Sequence, residues 1–151
     1  IDTKQRAIRA IEIAHYYKYH NVDETTMPDI KPLIVAPSYD RPQVRKRITE
    51  RLHQRLDEGM VEEARNLLDK GVTPEKLISY GLEYKYLTWY LTGEMDYNTM
   101  VERLNIAIHQ FAKRQMTWFR RMQRKGTEIH WIDGYLPMKE KVEQVLAMLK
   151  N

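Results

Sequence analysis

Lysine and arginine are the residues of this sequence whose number and spacing could do chemistry, and they concentrate on a few predicted helices. The longest helical pattern, residues 96–125, holds seven Lys/Arg and two acidic residues, a net charge of +5. The whole chain of 151 residues carries only +4. A basic stripe that is so local suits a phosphate backbone better than an evenly basic chain does. The alternative is a solvated face, which is what most charge runs on long helices are.

A second basic stripe lies on the helix predicted from about Pro42 to Glu58. Arg47, Arg51 and Arg55 recur every four residues, so they share one face and repel one another by a few tenths of a kcal/mol per pair. Something anionic is expected to compensate for this repulsion. Acidic residues nearby can do so, namely Glu50, Asp57 and Glu58. A phosphate is the alternative, because the guanidinium fork matches phosphate oxygens.

Other candidate residues are less specific on pattern alone. Arg6 and Arg9 lie three apart near the start of the first predicted helix, where solvation is the simpler interpretation. Trp118 and Phe119 could stack on bases, but aromatic residues at helical spacing more often belong to a core. His130 has no second histidine or carboxylate at metal-ligand spacing, so we predict a structural or surface role and no metal site. The sequence contains no cysteine and no P-loop, Gly-x-Ser-x-Gly or His-Glu-x-x-His motif.

Hydrophobic periodicity predicts an α/β protein that is mainly helical, with about six helices and two short strands. The predicted helices are 2–19, 42–58, 60–70, 74–93, 96–125 and one that begins at Pro137, and the predicted strands are 31–37 and 128–133. In the last helix we expect four residues to face inward: Val142, Val145, Leu146 and Leu149. The polar segment from His20 to Pro32 reads as a linker. No apolar run approaches the length of a membrane span, and the start at Ile1 suggests a piece of a longer chain.

Within the basic helix, residues 111–120 read Phe-Ala-Lys-Arg-Gln-Met-Thr-Trp-Phe-Arg. This segment resembles the Ala-Lys-Arg-Gln-x-Thr-Trp-x-Arg signature of the tRNA dimethylallyltransferases, also called tRNA isopentenyltransferases. Four further segments are similar to the family's pattern and follow its order: Gln5–Glu12, Arg47–Arg51, Gly59–Ala64 and His130–Asp133. Two positions depart from it. Glu83 stands where a basic residue is usual, and His109 stands where an arginine is common.

The resemblance implies that the chain is part of a P-loop-type enzyme. Residues 1–32 would be the end of a helical, tRNA-contacting insertion and its linker, and residues 33–151 the C-terminal part of the catalytic core. It assigns the diphosphate contact to Arg51. It also assigns tRNA contacts to seven residues: Gln5, Arg6, Arg9, Lys113, Arg114, Gln115 and Arg120.

The implied reaction moves a dimethylallyl group from dimethylallyl diphosphate to the N6 amine of an adenosine next to the tRNA anticodon. In this family a nucleotide-binding P-loop with Mg²⁺ and a general-base aspartate precede the region matched here, so we expect this piece alone to be inactive. The resemblance further implies a cytoplasmic enzyme that is monomeric when complete. The alternative is a stand-alone RNA-binding or interaction module without catalysis.

Overall fold

The computed structural model describes residues 3–20 and 30–149. Within these ranges the elements are α1 (Lys4–Tyr19), β1 (Val35–Ser38), α2 (Arg41–Asp57), α3 (Met60–Asp69), α4 (Pro74–Ser79), α5 (Leu82–Leu91), α6 (Tyr97–Arg124), β2 (His130–Asp133) and α7 (Met138–Leu149). The predicted mainly helical α/β architecture is confirmed. Contacts divide the chain between Pro32 and Leu33 into two compact units. The assignment of these parts to a tRNA-contacting insertion and a catalytic core stays a prediction.

The first unit contributes one described element, α1. Thr3 caps it, because its side-chain oxygen accepts a hydrogen bond from the Arg6 backbone amide at 3.3 Å. No residue of the helix is buried, and Ile11 is 68% exposed. The helix is therefore held in the described residues by its own backbone bonds and cap.

The second unit contains a parallel pair of strands that come from distant parts of the chain. Val35 pairs with His130, and the register continues to Ser38 opposite Asp133. The backbone amide of Gly134 then donates to the carbonyl of Ser38 at 2.7 Å. Both strands thus end at the same edge of the sheet, where α/β folds usually bind their ligands.

The hydrophobic core of this unit lies among its helices rather than on the sheet. It comprises Leu52, Leu56, Met60, Val61, Ala64, Leu77, Leu87, Met100 and Leu104. Helix α2 supplies the first two, which lie four residues apart, and α6 supplies the last two. Thr88 is also buried, and its hydroxyl donates to the Tyr84 carbonyl at 2.7 Å. Because α2 and α6 bury these stripes, their charged residues must face outward.

The prediction of one unbroken helix from Pro74 to Gly93 is wrong, since the structure divides this segment into α4 and α5. Gly81 separates them with φ 147° and ψ −171°. This backbone region is essentially restricted to glycine. The apolar periodicity continues on both sides of the break, so it predicted the helices but not the interruption.

The inward orientation predicted for α7 is also wrong. Val142, Leu146 and Leu149 are 47%, 50% and 63% exposed, and Val145 is only half-buried. In the described residues α7 packs mainly against β2. Periodicity identified its apolar face correctly, but a periodic pattern does not specify what covers such a face.

Candidate functional site

Helix α2 carries the arginine stripe, and its start is fixed by a side-chain cap. A carboxylate oxygen of Asp40 accepts the backbone amide of Gln43 at 2.8 Å. Pro42 occupies the first turn, where its missing N–H costs nothing. Leu52 and Leu56 are buried, whereas the three arginines of the stripe are exposed.

The three arginines of the stripe differ in how their charges are compensated. Arg55 lies 3.8 Å from the carboxylate of Glu58 and 3.4 Å from that of Glu63. Glu50, a second possible local partner, instead pairs with Lys46 at 3.7 Å. Across residues 3–20 and 30–149, Arg51 has no acidic side chain within ion-pair distance. Acidic side chains therefore compensate the charge of Arg55, while the N–H donors of Arg51 stay available.

A tyrosine completes the network around Arg55. The Tyr84 hydroxyl donates to Glu63 at 2.5 Å, and this bond to a carboxylate raises the pKa of Tyr84. The network joins α2, α3 and α5 at the surface of the helical core. Its self-contained pairing indicates that Arg55 serves structure.

At the carboxyl ends of the strands lies a polar and aromatic cluster that sequence reasoning missed. The Tyr135 hydroxyl donates to Asp40 at 2.6 Å, and this bond is the main reason why the pKa of Asp40 is lowered. The rings of Tyr39 and Tyr135 meet edge to face, with 5.3 Å between their centroids. Asp40 and Tyr135 are 95 residues apart, so no local spacing could reveal their contact.

The second half of α6 is a basic surface. Lys113, Arg114, Gln115 and Arg120 are all exposed. In the part of the chain that the structure describes, none of the three cations Lys113, Arg114 and Arg120 forms an ion pair with an acidic side chain. Their charges are thus available to an external anion. This arrangement is compatible with a solvated face and with a phosphate contact.

Aromatic residues on this surface divide into two kinds. Phe119 is half-buried and meets Trp131 of β2 edge to face, with 6.0 Å between ring centroids. Trp118 is 59% exposed, so the core position favoured for it is wrong. The guanidinium of Arg121 lies 5.9 Å from its ring centroid. An exposed indole beside cations is suited to stacking on a base, whereas Phe119 anchors the helix to the sheet.

The predicted tRNA-contacting residues of α1 are exposed as well, and they belong to the first unit. Gln5, Arg6 and Arg9 all lie on the helix surface. Arg9 pairs with Glu12 at 3.1 Å. The arginines of α2 and the basic half of α6 belong to the second unit, where the two helices pack together. The roles assigned to all of these residues stay predictions.

The departures from the family pattern have identifiable surroundings. His109 is half-buried between α6 and α2, with its ring Nε2 3.3 Å from the Thr49 hydroxyl. The same hydroxyl donates to Asn105 at 3.2 Å. Glu83 is exposed in the first turn of α5, where a negative charge interacts favourably with the helix dipole. Both residues thus have a structural explanation in this chain.

Neither a metal centre nor a membrane span emerges from residues 3–20 and 30–149. These ranges contain no group of three or more His, Asp or Glu side chains that could hold a metal ion. His130 is half-buried, with its nearest acidic partner Glu128 at 3.7 Å. No helix in the same ranges is long and apolar enough to cross a bilayer.

The family model and the related sequences that match this chain all indicate the same family. The model of the family described as IPP transferase matches residues 1–122. A protein named tRNA dimethylallyltransferase 2 from Porphyromonas gingivalis is 57% identical over 148 residues, which are 98% of this chain and 49% of that protein. tRNA dimethylallyltransferase 1 from Parabacteroides distasonis is 56% identical over 151 residues, covering 100% of this chain and 49% of that protein. The chain therefore spans about half the length of the curated relatives it matches.

Solved structures agree. The full-length tRNA isopentenylpyrophosphate transferase from Bacillus halodurans superposes with a TM-score of 0.70 at 25% identity, over 97% of this chain and 44% of that one. A tRNA delta(2)-isopentenylpyrophosphate transferase from Staphylococcus epidermidis gives a TM-score of 0.71 at 22% identity, over 97% of this chain and 48% of that one; this second likeness supports the fold alone. The resemblance inferred from the sequence is confirmed, and the chain belongs to the IPP transferase family.

Proposed function

We propose that this chain is the C-terminal part of a tRNA-modifying prenyltransferase. The whole protein would transfer a dimethylallyl group from dimethylallyl diphosphate to the N6 amine of an adenosine next to the anticodon. The nitrogen forms the new C–N bond as the bond between the allylic carbon and the diphosphate oxygen breaks. The diphosphate leaves with the electron pair, and a general base takes the proton from nitrogen.

The observation that carries the proposal is the uncompensated charge of Arg51 on a face where Arg55 has two acidic partners. As the diphosphate leaves, negative charge grows on its oxygens, and a cation placed there in advance stabilises the transition state. A guanidinium is the suitable cation because it presents several N–H donors in a fixed plane. Helix α2 begins just after the end of β1, and such strand ends are the usual place for ligands in an α/β fold.

The basic half of α6 supplies the second requirement, a surface that holds RNA. Lys113, Arg114 and Arg120 are exposed without acidic partners in the described residues, so each can neutralise a phosphate. An adenine must leave its stack before its N6 can react. In this proposal, the exposed ring of Trp118 stacks on a neighbouring base while the cations hold the backbone.

Mg²⁺ belongs to the proposal only through the other half of the protein. The residues that the structure describes do not offer a set of ligands for it, and the contact proposed for Arg51 requires no metal from this chain. When bound, the ion would help to neutralise the diphosphate.

The test is transfer of a labelled dimethylallyl group to unmodified tRNA by the full-length protein, with the 151-residue chain assayed alongside. We expect the full-length protein to transfer the label and the isolated chain to transfer none, because the sequence of this chain contains no P-loop. Binding of tRNA by the full-length protein without any transfer would favour the interaction module instead.

A further inference from the structure

The ring of Tyr39 is held in one place at the carboxyl ends of the two strands. Tyr39 directly follows β1, and Gly134 directly follows β2. The ring lies so close to Gly134 that a Cβ added there would overlap it. Tyr135 meets the ring at an angle of 76°, and the side chain is half-buried. This aromatic face is therefore a fixed platform at the carboxyl end of the strands.

Arg47 lies on that platform. Its guanidinium carbon is 4.6 Å from the centroid of the Tyr39 ring, while the residue as a whole stays exposed. Stacking on an aromatic ring orients the guanidinium plane but consumes none of its charge-assisted hydrogen bonds. Arg47 is thus oriented with its donors still available.

The acidic residue of the cluster does not neutralise Arg47. Asp40 uses one carboxylate oxygen to accept the Gln43 amide and the other to accept the Tyr135 hydroxyl. Lys141, the other cation near the Tyr39 ring, donates to the Gly134 carbonyl at 2.5 Å. Throughout the described residues, Arg47 has no acidic side chain within ion-pair distance.

We propose that Arg47 is a second diphosphate-binding residue and that Tyr39 is the residue that positions it. This inference rests on the proposed function, because it assigns a further contact to the same substrate. Arg47 and Arg51 lie one helical turn apart on one face, and both lack an acidic partner there. A diphosphate has two phosphoryl groups, which two neighbouring guanidinium groups can contact. Arg55 is excluded from this role by its pairs with Glu58 and Glu63.

The experiment measures inhibition of the full-length enzyme by inorganic pyrophosphate, in competition with dimethylallyl diphosphate. Arg47→Ala should weaken pyrophosphate binding about tenfold or more, the effect of one lost charge-assisted hydrogen bond, and Arg47→Lys should lie between. Tyr39→Leu should weaken binding by a smaller factor, whereas Tyr39→Phe, which keeps the aromatic face, should match the wild type. Affinity for tRNA should stay unchanged in all four variants. Arg45→Ala, an exposed arginine two residues away on α2, is the matched control.

The outcomes separate this inference from the proposed function. If the wild-type protein transfers no dimethylallyl group, the proposed function fails. If transfer occurs and depends on Arg51 but Arg47→Ala binds pyrophosphate normally, only this inference fails. Loss of tRNA affinity with normal pyrophosphate binding would overturn it too, since Arg47 would then contact RNA. A Tyr39→Phe variant as weak as Tyr39→Leu would refute the positioning role of the ring.

Discussion

Replacing Arg51 by alanine in the full-length enzyme is the most direct test of the proposed site. The side chain is exposed, and it forms no ion pair with the acidic residues that the structure describes. Alanine is also the best helix former. The free energy of unfolding should therefore change by no more than about 0.5 kcal/mol, and any loss of activity will report on chemistry.

The size of the loss distinguishes two situations. A contact that stayed in open solvent would contribute no more than about 1 kcal/mol, or roughly a fivefold effect. A preorganised donor enclosed around developing charge contributes about 2.7 kcal/mol or more, on the order of 10²-fold in turnover. We expect the larger figure, because the bound diphosphate and the rest of the protein would exclude water from Arg51. Arg51→Lys should recover only part, since an ammonium keeps the charge but loses the planar fork.

The assay is steady-state kinetics with both substrates varied, together with a direct measurement of tRNA affinity. Turnover should fall much more than tRNA binding weakens. Arg55→Ala is the matched control on the same face. Its carboxylate partner Glu63 keeps the hydrogen bond from Tyr84, so we expect only the small effect of a lost surface pair. Near-normal turnover of Arg51→Ala, or an equal loss with Arg55→Ala, would refute the assignment.

Three further predictions concern other parts of the chain. Replacing Lys113 and Arg114 together by alanine should flatten the slope of log affinity against log salt by about one to two units in tRNA-binding titrations. Gly81→Ala should destabilise the full-length protein by about 1–3 kcal/mol in chemical denaturation, because φ 147° is strained for any residue with a Cβ. Tyr135→Phe should raise the pKa of Asp40 toward its ordinary value, measured by carboxyl-carbon NMR, because it removes the main cause of the lowered pKa.

The first two of these predictions have a matched control variant. Arg65→Ala, which removes an exposed arginine of α3, should leave the salt slope unchanged. An equal change would indicate that the α6 cations form only a solvated face, without specific phosphate contacts. Gly71→Ala, at φ 89°, should cost only about 1–2 kcal/mol, and a larger loss than at Gly81 would contradict the strain argument. Folding lowers the pKa of Asp40, so its stabilising effect is complete above the ordinary pKa of an aspartate and is lost as pH falls through the lowered value. An unchanged pKa in Tyr135→Phe would show that the tyrosine bond has no such effect.

The sequence predicted those features that depend on neighbours along the chain. Periodic apolar residues located α2 and α6, and a buried core stripe such as Leu52 and Leu56 followed from the four-residue spacing. A resemblance in residue order identified the family. The break at Gly81 was not predicted, because a glycine within a continuing helical pattern can equally be tolerated inside the helix.

Features that depend on distant neighbours were not predictable. The platform of Tyr39 requires Gly134 beside it, and this neighbourhood exists only because β1 and β2 pair in parallel. Likewise, the spacing of Arg47, Arg51 and Arg55 predicted a single stripe and did not distinguish the three arginines by their acidic partners. Glu58, one of the acidic residues considered from the sequence, does pair with Arg55. The second partner of Arg55, Glu63, lies on the next helix, so that contact became visible only in the fold.

Helix α2 connects these features, since its two ends are fixed by different parts of the second unit. Its N-terminal end is held by Asp40, which caps the helix and also accepts the hydroxyl of Tyr135 beyond β2. Its C-terminal half is held by Leu52 and Leu56 in the helical core. Arg51 lies between the two anchors, and a rotation of α2 that moved its guanidinium would have to break the cap or unpack the leucines. The helix backbone that carries Arg51 is therefore fixed, and this support favours the role proposed for it, because a donor that must reorganise during the reaction loses much of its catalytic effect.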